Sequence, residues 1–175
     1  MMNGYPQKYE TTAVFKNGLR VNFRAIRPTD AALLEELFYS HSAQTIAHRY
    51  FAPIRRLSAE LLQKFVTPDY RDDFALIGLL PFENRERMIC VGRYFRNPNR
   101  DDAEIAVTVH DDFQNCGIGT FLVQALAKIA RENGLRAFTA SVLADNPAML
   151  HIFRKAAREI EIQAEADSYQ VRFGI

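Results

Sequence analysis

The sequence predicts an α+β (mixed α/β) fold in which helices flank a mostly antiparallel sheet. Three observations favour this class. A hairpin signal, Asn17-Gly18, lies between apolar residues near the start of the chain. Two apolar runs of strand length, 74–80 and 88–95, follow one another across a charged turn. A helical stripe of apolar residues then covers 118–132, so strands and helices must share a core.

The first part of the chain is expected to hold a hairpin and a series of helices. Residues 1–12 are expected to be loose, and the hairpin turn leads into a strand with alternating apolar and polar residues over 21–25. Pro28-Thr29-Asp30 supplies turn and N-cap chemistry for a helix with an apolar side. Further helices are expected to begin after Ser42 and after Ser58.

The rest of the chain is expected to alternate between strands and helices. The apolar runs 74–80 and 88–95 are typical of buried strands, and 104–109 adds another. The helix over 118–132 follows, and Gly134 is well placed to end it. The prediction closes with a strand over 135–143, a helix from Asn146-Pro147 and an antiparallel pair within 160–173.

Length and composition are those of an ordinary soluble globular protein. The 175 residues are expected to form a single domain over 1–175, with 48% hydrophobic and 25% charged residues. A net charge of +1 gives no reason to expect a nucleic-acid partner. No bilayer-spanning run or secretory signal is visible, so no membrane partner is expected. Cys90 and Cys116 are too few for a disulfide framework, which favours a reduced, cytoplasmic setting.

The most informative segment runs from Glu104 to Thr120. It reads as a short apolar strand, a polar turn and then Gln114-Asn115-Cys116-Gly117-Ile118-Gly119 at the start of an amphipathic helix. Free amides at a helix N-terminus form an anion site, and glycines allow the backbone to approach a ligand closely. The pattern therefore favours binding of a phosphate or pyrophosphate, with an ordinary glycine-rich turn as the alternative.

Two common phosphate-binding patterns do not fit this turn. A Walker loop needs Gly-Lys-Ser/Thr after its second glycine, whereas Gly119 is followed by Thr120-Phe121. A Rossmann fingerprint needs a third small residue, and Leu122 occupies that position. The pattern that fits is Gln/Arg-x-x-Gly-x-Gly/Ala, and in this the chain resembles the GNAT family of acetyl-CoA-dependent N-acetyltransferases.

Within that family the chain looks most like the acetyltransferase domain of the bacterial protein-lysine acetyltransferases, the Pat-like group. The segments that carry the likeness are 24–30, 42–51, Asp69-Tyr70 and 103–107. The resemblance implies a GNAT fold with splayed central strands, acetyl-CoA as cosubstrate and a primary amine as acceptor. By resemblance the acceptor is a protein lysine. Domains of this family often pair, so a homodimer is an expected assembly.

The resemblance also implies a binding site for acetyl-CoA. It places pantetheine against the backbone of Val107 and Val109, where amides of the cofactor would pair like an added strand. Asn146 would contact the cofactor from the next helix. No metal site is expected, because the histidines show no metal-ligand spacing. The pyrophosphate would lie against Gln114, Asn115, Cys116, Gly117, Ile118, Gly119 and Thr120.

Glu104 is the expected catalytic residue. It begins an apolar strand, and alternation places its side chain on the same face as Ala106 and Thr108. Apolar surroundings would make its carboxylate a stronger base, able to take a proton from an ammonium group. The resemblance gives this position the role of general base, directly or through water. The alternative is a structural glutamate that pairs with Arg93 or Arg100.

One position departs from the family pattern. Many GNAT enzymes carry a tyrosine on the last helix that protonates the leaving thiolate, and here the residue is Phe153. Phe153 has no proton to donate, so water or another group must serve, or the thiolate leaves unprotonated. Two other functions stay open: acetylation of a small-molecule amine, and a non-catalytic acyl-CoA-binding sensor.

Overall fold

A computed structural model describes residues 4–52, 54–157 and 159–175 of the chain. The α+β class and the order of helices and strands expected from the sequence are confirmed. The helices are α1 (Ala31–Ser40), α2 (Ala43–Tyr50), α3 (Ala59–Val66), α4 (Ile118–Glu132) and α5 (Pro147–Ala156). The strands are β1 (Thr11–Val14), β2 (Arg20–Ala25), β3 (Asp73–Phe82), β4 (Arg85–Arg96), β5 (Asp102–Val109), β6 (Ala137–Leu143), β7 (Ile160–Ala164) and β8 (Ser168–Gly174).

Within the described residues, the strands form one sheet in the order β1-β2-β3-β4-β5-β6-β8-β7. The neighbouring strands are antiparallel except for β5 and β6, which run parallel. A parallel pair needs a long crossover connection, and α4 provides it here. The mostly antiparallel sheet expected from the sequence is therefore confirmed.

The parallel pairing of β5 with β6 is short. Beyond Glu104 the two strands separate, because β5 continues to Val109 beside β4 while β6 continues to Leu143 beside β8. The separation opens a V-shaped gap in the middle of the sheet. The paired positions before the gap are Asp102 with Ala137, Ala103 with Phe138 and Glu104 with Thr139.

The two faces of the sheet carry different helices. On one face, α4 and α5 pack through Leu122, Leu126 and Phe153 onto odd-numbered residues of β5 such as Ile105. On the other face, α1 and α3 pack onto β3 and β4 in a second apolar cluster. Among the described residues, no helix is both long enough and apolar enough to cross a bilayer.

The N-terminal segment packs against the body of the protein, so the expectation of a loose stretch is wrong for its described part. Residues 1–3 lie outside the described residues, and β1 already begins at Thr11. The Tyr9 hydroxyl donates to Glu132 of α4 at 2.7 Å. Isolated tyrosines form no periodic pattern, which is why the packing was not visible in the sequence. The ring contacts are Tyr5 on Tyr70, with centroids 5.9 Å apart, and Tyr9 on Phe74, at 5.5 Å.

Candidate active site

The gap between β5 and β6 is the floor of a cleft of about 890 Å³. Its walls come from α2, β5, the turn before α4, and the start of α5. Clefts of this volume are typical of sites for small molecules and cofactors. The separation of two strands, and not a groove between surface loops, therefore creates the cavity.

The site residues expected from the sequence come together around this cleft, apart from Cys116. The Cys116 thiol turns back and donates to the Gln114 carbonyl oxygen at 3.4 Å. No group of three His, Cys, Asp or Glu side chains that could hold a metal is found in the described part of the chain. The expected residues that line the cleft are Glu104, Val107, Val109, Gln114, Asn115, Gly117, Ile118, Gly119, Thr120 and Asn146.

Val107 presents its backbone groups to the open side of β5. The N–H of His110 donates to the Ile89 carbonyl oxygen of β4 at 2.8 Å, so the backbone groups of even-numbered residues point toward β4. Those of odd-numbered residues point the other way, toward β6 and, beyond Glu104, toward the cleft. Val107 has no pairing partner on β6. Its N–H and C=O can therefore receive a ligand as an added strand would be received.

Val109 differs from Val107, because its carbonyl group already has a partner. The Gln114 side-chain amide donates to the Val109 carbonyl oxygen at 3.1 Å, and its Nε2 lies 3.5 Å from Thr45 Oγ1. Gln114 thus ties the turn before α4 to the end of β5. A ligand that paired with the Val109 carbonyl would have to displace the Gln114 side chain.

The turn before α4 leaves the first amides of the helix uncapped. Asn115 and Gly117 have φ angles of 60° and 97°, both in the left-handed region. Gly117 is the N-cap of α4, and no side chain caps the helix there. Glycine suits this position, because the left-handed region costs other residues roughly 1–2 kcal/mol. The amides of residues 118–120 belong to the first turn, have no partner inside the helix and border the cleft.

Gly119 serves the contact between two helices, a role that the sequence did not predict, and it also lines the cleft. A Cβ atom on Gly119 would lie 2.7 Å from Cδ1 of Ile152 on α5. A Cβ atom on Gly117 would meet nothing closer than the Phe15 ring, at 3.9 Å. The first glycine is needed for backbone conformation, and the second for close approach of α4 and α5.

Glu104 lies on the wall of the cleft with an exposed side chain, so the expected enclosure by apolar groups is wrong. The structural alternative is not seen either. Arg93 Nε lies 3.4 Å from Asp73 Oδ1, and Arg100 Nη2 lies 2.6 Å from Asp102 Oδ2. In the described part of the chain, neither arginine pairs with Glu104. The carboxylate is therefore accessible to both a substrate and water.

A sequence profile of the acetyltransferase (GNAT) family matches residues 36–157. The match covers more than half of the chain and contains β5, the turn before α4, and α5. The chain belongs to this family. The splayed strands, the uncapped helix and the cleft between them are thus the features of a GNAT acetyltransferase, as the resemblance implied.

Named acetyltransferases are among the relatives of this GNAT domain. Acetyltransferase PA5475 of Pseudomonas aeruginosa is 29% identical over 133 residues, which cover 76% of this chain and 72% of the relative. Acetyltransferase Pat of Mycolicibacterium smegmatis is 36% identical over 115 residues, which cover 63% of this chain. The matched region is 33% of that Pat protein, so the chain spans about a third of its length.

Solved structures confirm the GNAT fold. The GNAT domain of S. lividans PAT superposes with a TM-score of 0.88 at 29% identity, over 98% of this chain and 99% of that domain. The protein yncA from Salmonella typhimurium, solved with its cofactor acetyl-CoA, gives a TM-score of 0.67 at 15% identity, over 89% of this chain and 92% of that one. The second likeness concerns the fold alone, and the first supports the Pat-like resemblance.

In this GNAT domain, α2 covers the cleft and is tied to both halves of the sheet. Asp111, just after β5, accepts hydrogen bonds from the Ser42 N–H at 3.1 Å, from its hydroxyl at 2.9 Å and from the Thr45 hydroxyl at 2.8 Å. On the far side, His48 Nε2 lies 3.0 Å from Asp145 Oδ1, just before α5. These residues were missed at the sequence level, because no local pattern links positions so far apart.

The hydrogen bonds around Asp111 lower the pKa of its carboxyl group strongly. Burial alone would raise the pKa of Asp111, but the bonds from Thr45 and Ser42, with His41 nearby, outweigh burial and bring the pKa to about 2. His41 Nδ1 lies 3.6 Å from Asp111 Oδ2, and burial lowers the pKa of the imidazole. The expected state at neutral pH is a charged carboxylate beside a neutral ring.

Two residues of α5 and its N-cap complete the site. Asn146 Oδ1 accepts the Met149 N–H at 3.2 Å, so the side-chain oxygen caps α5 and the amide nitrogen stays available to donate to a ligand. Phe153 is buried at the floor of the cleft and lies against Phe173, with ring centroids 5.2 Å apart. Phe153 therefore belongs to the core and shapes the cleft. It cannot act as a general acid.

Proposed function

We propose that this GNAT acetyltransferase moves the acetyl group of acetyl-CoA to a primary amine of a protein lysine, with Glu104 as general base. The observation that carries the proposal is the order of groups around the splay. Uncapped amides of α4 lie at one end, the free edge of β5 at Val107 lies in the middle, and Glu104 lies where β5 and β6 part. A pyrophosphate, a pantetheine arm and a reacting amine need these groups in this order.

The residues around the cleft fit acetyl-CoA. The amides of residues 118–120 and the positive end of the α4 dipole suit a pyrophosphate. Lys16, from the turn between β1 and β2, donates to the Asn115 carbonyl oxygen at 3.4 Å and adds positive charge at this end. Val107 suits an amide of pantetheine, and Asn146 still has an amide nitrogen to donate. When bound, acetyl-CoA supplies an activated acyl group.

Glu104 is placed to accept a proton from the acceptor ammonium. It is the last residue of β5 that pairs with β6, so its side chain stands at the apex of the V-shaped gap. Its exposure lets an amine or a bridging water reach the carboxylate. Arg93 pairs with Asp73 and Arg100 with Asp102, so neither contacts Glu104. Arg49 is the nearby cation: burial lowers the pKa of Arg49, and the charge of Glu104 opposes this effect. Position and accessibility therefore support the role of general base.

The choice of a lysine acceptor rests on the likeness of segments 24–30 and 42–51 to protein-lysine acetyltransferases. The second segment includes the whole of α2, whose residues Gln44, His48 and Tyr50 line the cleft. The likeness to acetyltransferase Pat and to the S. lividans domain supports the same choice. An acceptor lysine would reach Glu104 past this helix.

A thermal unfolding titration with acetyl-CoA, with NAD and ATP as controls, tests cofactor binding. A ligand at 100 times its Kd adds about 2.7 kcal/mol of stability, so the midpoint should rise by several degrees with acetyl-CoA alone. Glu104→Gln should keep this rise and lose about a hundredfold or more of turnover on lysine peptides. Glu161→Gln, at an exposed position on β7, should keep both. No rise with acetyl-CoA would refute the proposal, and binding without any turnover would favour a sensor.

A further inference from the structure

A small second pocket lies behind β5, on the face that α1 to α3 cover. Its volume is about 30 Å³, enough for one or two small polar groups. Much of the lining is apolar and comes from α1, α3 and the neighbouring strands. The polar lining consists of His41, Arg49, Tyr50, Arg93 and Thr108, which together we call the donor pocket.

The donor pocket is a side branch of the cleft. Arg49, Tyr50, Ala106 and Thr108 line both cavities. Ala106 and Thr108 follow Glu104 on the same face of β5. At 3.3–3.4 Å per residue, the pocket therefore begins about 7 Å beyond Glu104 along the strand. A molecule with its amine at Glu104 could extend a second group into the pocket.

Each polar side chain of the donor pocket can donate a hydrogen bond, and none of them is an acid. Thr108 Oγ1 is buried and has no hydrogen-bond partner among the described residues. His41 Nδ1 and Arg93 Nε also lack hydrogen bonds, but they lie 3.6 Å from Asp111 Oδ2 and 3.4 Å from Asp73 Oδ1. Thr108 and Arg93 are only 7% and 3% exposed, so bulk water does not serve them. Buried polar groups are normally paired, so the unpaired Thr108 hydroxyl in a pocket that Arg49 also lines is a sign of a missing acceptor.

Arg49 gives the donor pocket an excess of positive charge. Arg93 has Asp73 at 3.4 Å, but in the described part of the chain Arg49 makes neither an ion pair nor a hydrogen bond. The half-buried guanidinium of Arg49 lies over the Tyr50 ring, 4.9 Å from its centroid. By contrast, Arg24 and Arg96 each have an acid within 2.7 Å. A half-buried guanidinium that no carboxylate contacts directly is suited to bind one.

We infer that the donor pocket binds a carboxylate of the acceptor molecule. The inference rests on the proposed function, in which the acceptor amine lies at Glu104. Negative charge at Glu104 and positive charge in the pocket, about 7 Å apart along β5, match an acceptor with an ammonium at one end and a carboxylate at the other. A lysine beside an acidic residue in a protein has this chemistry, and so does a free amino acid.

Matched pairs of acceptors test the carboxylate site. One pair is a lysine peptide with Glu beside the lysine and the same peptide with Gln; the other is free lysine and lysinamide. With acetyl-CoA and the full chain, kcat/KM should favour the acid member by roughly tenfold or more. In Arg49→Met and Thr108→Val, the ratio of kcat/KM for the acid member to that for the amide member should fall toward one. The change should come from a higher KM for the acid member. Arg131→Met, at an exposed position of α4, should keep the ratio of the unchanged protein.

The outcomes separate this inference from the proposed function. Equal kcat/KM for acid and amide members of both pairs would overturn the carboxylate site and leave the acetyltransferase proposal intact. A preference in one pair alone supports the site and identifies the source of the carboxylate. If no acceptor is acetylated, thermal unfolding with acetyl-CoA decides. Lysine should then raise the midpoint of thermal unfolding more than lysinamide does, and Thr108→Val should remove this difference. Any other result overturns the carboxylate site.

Discussion

Gly119 of α4 and Ile152 of α5 lie so close that a Cβ atom on the glycine would stand 2.7 Å from Cδ1 of the isoleucine. We expect Gly119→Ala to lower the free energy of unfolding by about 1 kcal/mol, because Cδ1 at the end of the isoleucine side chain must turn aside. Binding of acetyl-CoA should weaken as well, because both helices border the cleft. Urea unfolding and a binding titration measure the two effects.

Ile152→Val supplies the control for that prediction, since it removes only the Cδ1 methyl group. The double variant Gly119→Ala/Ile152→Val should regain most of the stability lost by Gly119→Ala. Gly117→Ala should also cost roughly 1–2 kcal/mol, through its positive φ angle, but Ile152→Val should not restore it. Equal rescue of both glycine variants would contradict the steric explanation.

Asp111 should stabilise the protein above pH 4. Its pKa is about 2 in the folded protein, against an ordinary value of 3.8, so the stabilisation is present above 3.8 and is lost as pH falls toward 2. Asp111→Asn should therefore lower the free energy of unfolding at pH 7 by about 1–2 kcal/mol, after allowance for the exposed part of the side chain. When urea unfolding is measured from pH 2 to 7, the free energy of unfolding of this variant should fall less steeply toward low pH. Asp101→Asn, a change at an exposed carboxylate, should leave the pH dependence of the free energy of unfolding unchanged.

Asp73 should have the opposite effect on stability, which it should lower as pH rises. Burial raises the pKa of Asp73 to about 6, although Arg93 opposes the rise. Because the folded-state pKa lies above the ordinary 3.8, the contribution to stability is full below 3.8 and is lost as pH rises through 6. Asp73→Asn should remove this slope between pH 4 and 6, a change of about 1–3 kcal/mol. An unchanged slope in the variant would show that another group titrates there.

The two cysteines should react differently with a thiol reagent such as Ellman's. Cys90 is buried, and burial raises the pKa of its thiol, whereas Cys116 is partly exposed. One fast-reacting thiol is expected in the folded protein, and Cys116→Ser should abolish it. Saturating acetyl-CoA should leave this reaction largely unchanged, because Cys116 is not among the residues that line the cleft. Fast reaction at Cys90 in the folded state would contradict this burial.

Regular patterns in the sequence predicted local structure well. The helix α4 has the bounds expected from its apolar stripe, Ile118–Glu132. A helical pattern that repeats over so many residues leaves little ambiguity. Alternation placed Glu104 on the correct face of β5. It did not predict the exposure of that side chain, which depends on how the distant helix α2 covers the strand. The splay of β5 and β6 was expected from the resemblance to a family and from no local pattern.

The contacts that hold α2 over the cleft could not be predicted from the sequence. Asp111 binds Ser42 across 69 positions of the chain, and His48 meets Asp145 across 97. Each of these residues is an ordinary polar group in its own neighbourhood. The donor pocket is equally hidden, since Arg49 and Thr108 meet only after α2 folds over β5. Such sites become visible only in three dimensions.

The geometry of β5 suggests a route to engineering this enzyme. Its odd-numbered side chains, such as Ile105, are buried beneath α4, and its odd-numbered backbone edge borders the cleft. Ala106 and Thr108 point to the opposite face. Under the proposed function, substitutions at these two positions should change which amines are accepted and leave the core and the proposed acetyl-CoA site as they are. A small library confined to Ala106 and Thr108 would therefore vary the acceptor side of the site alone.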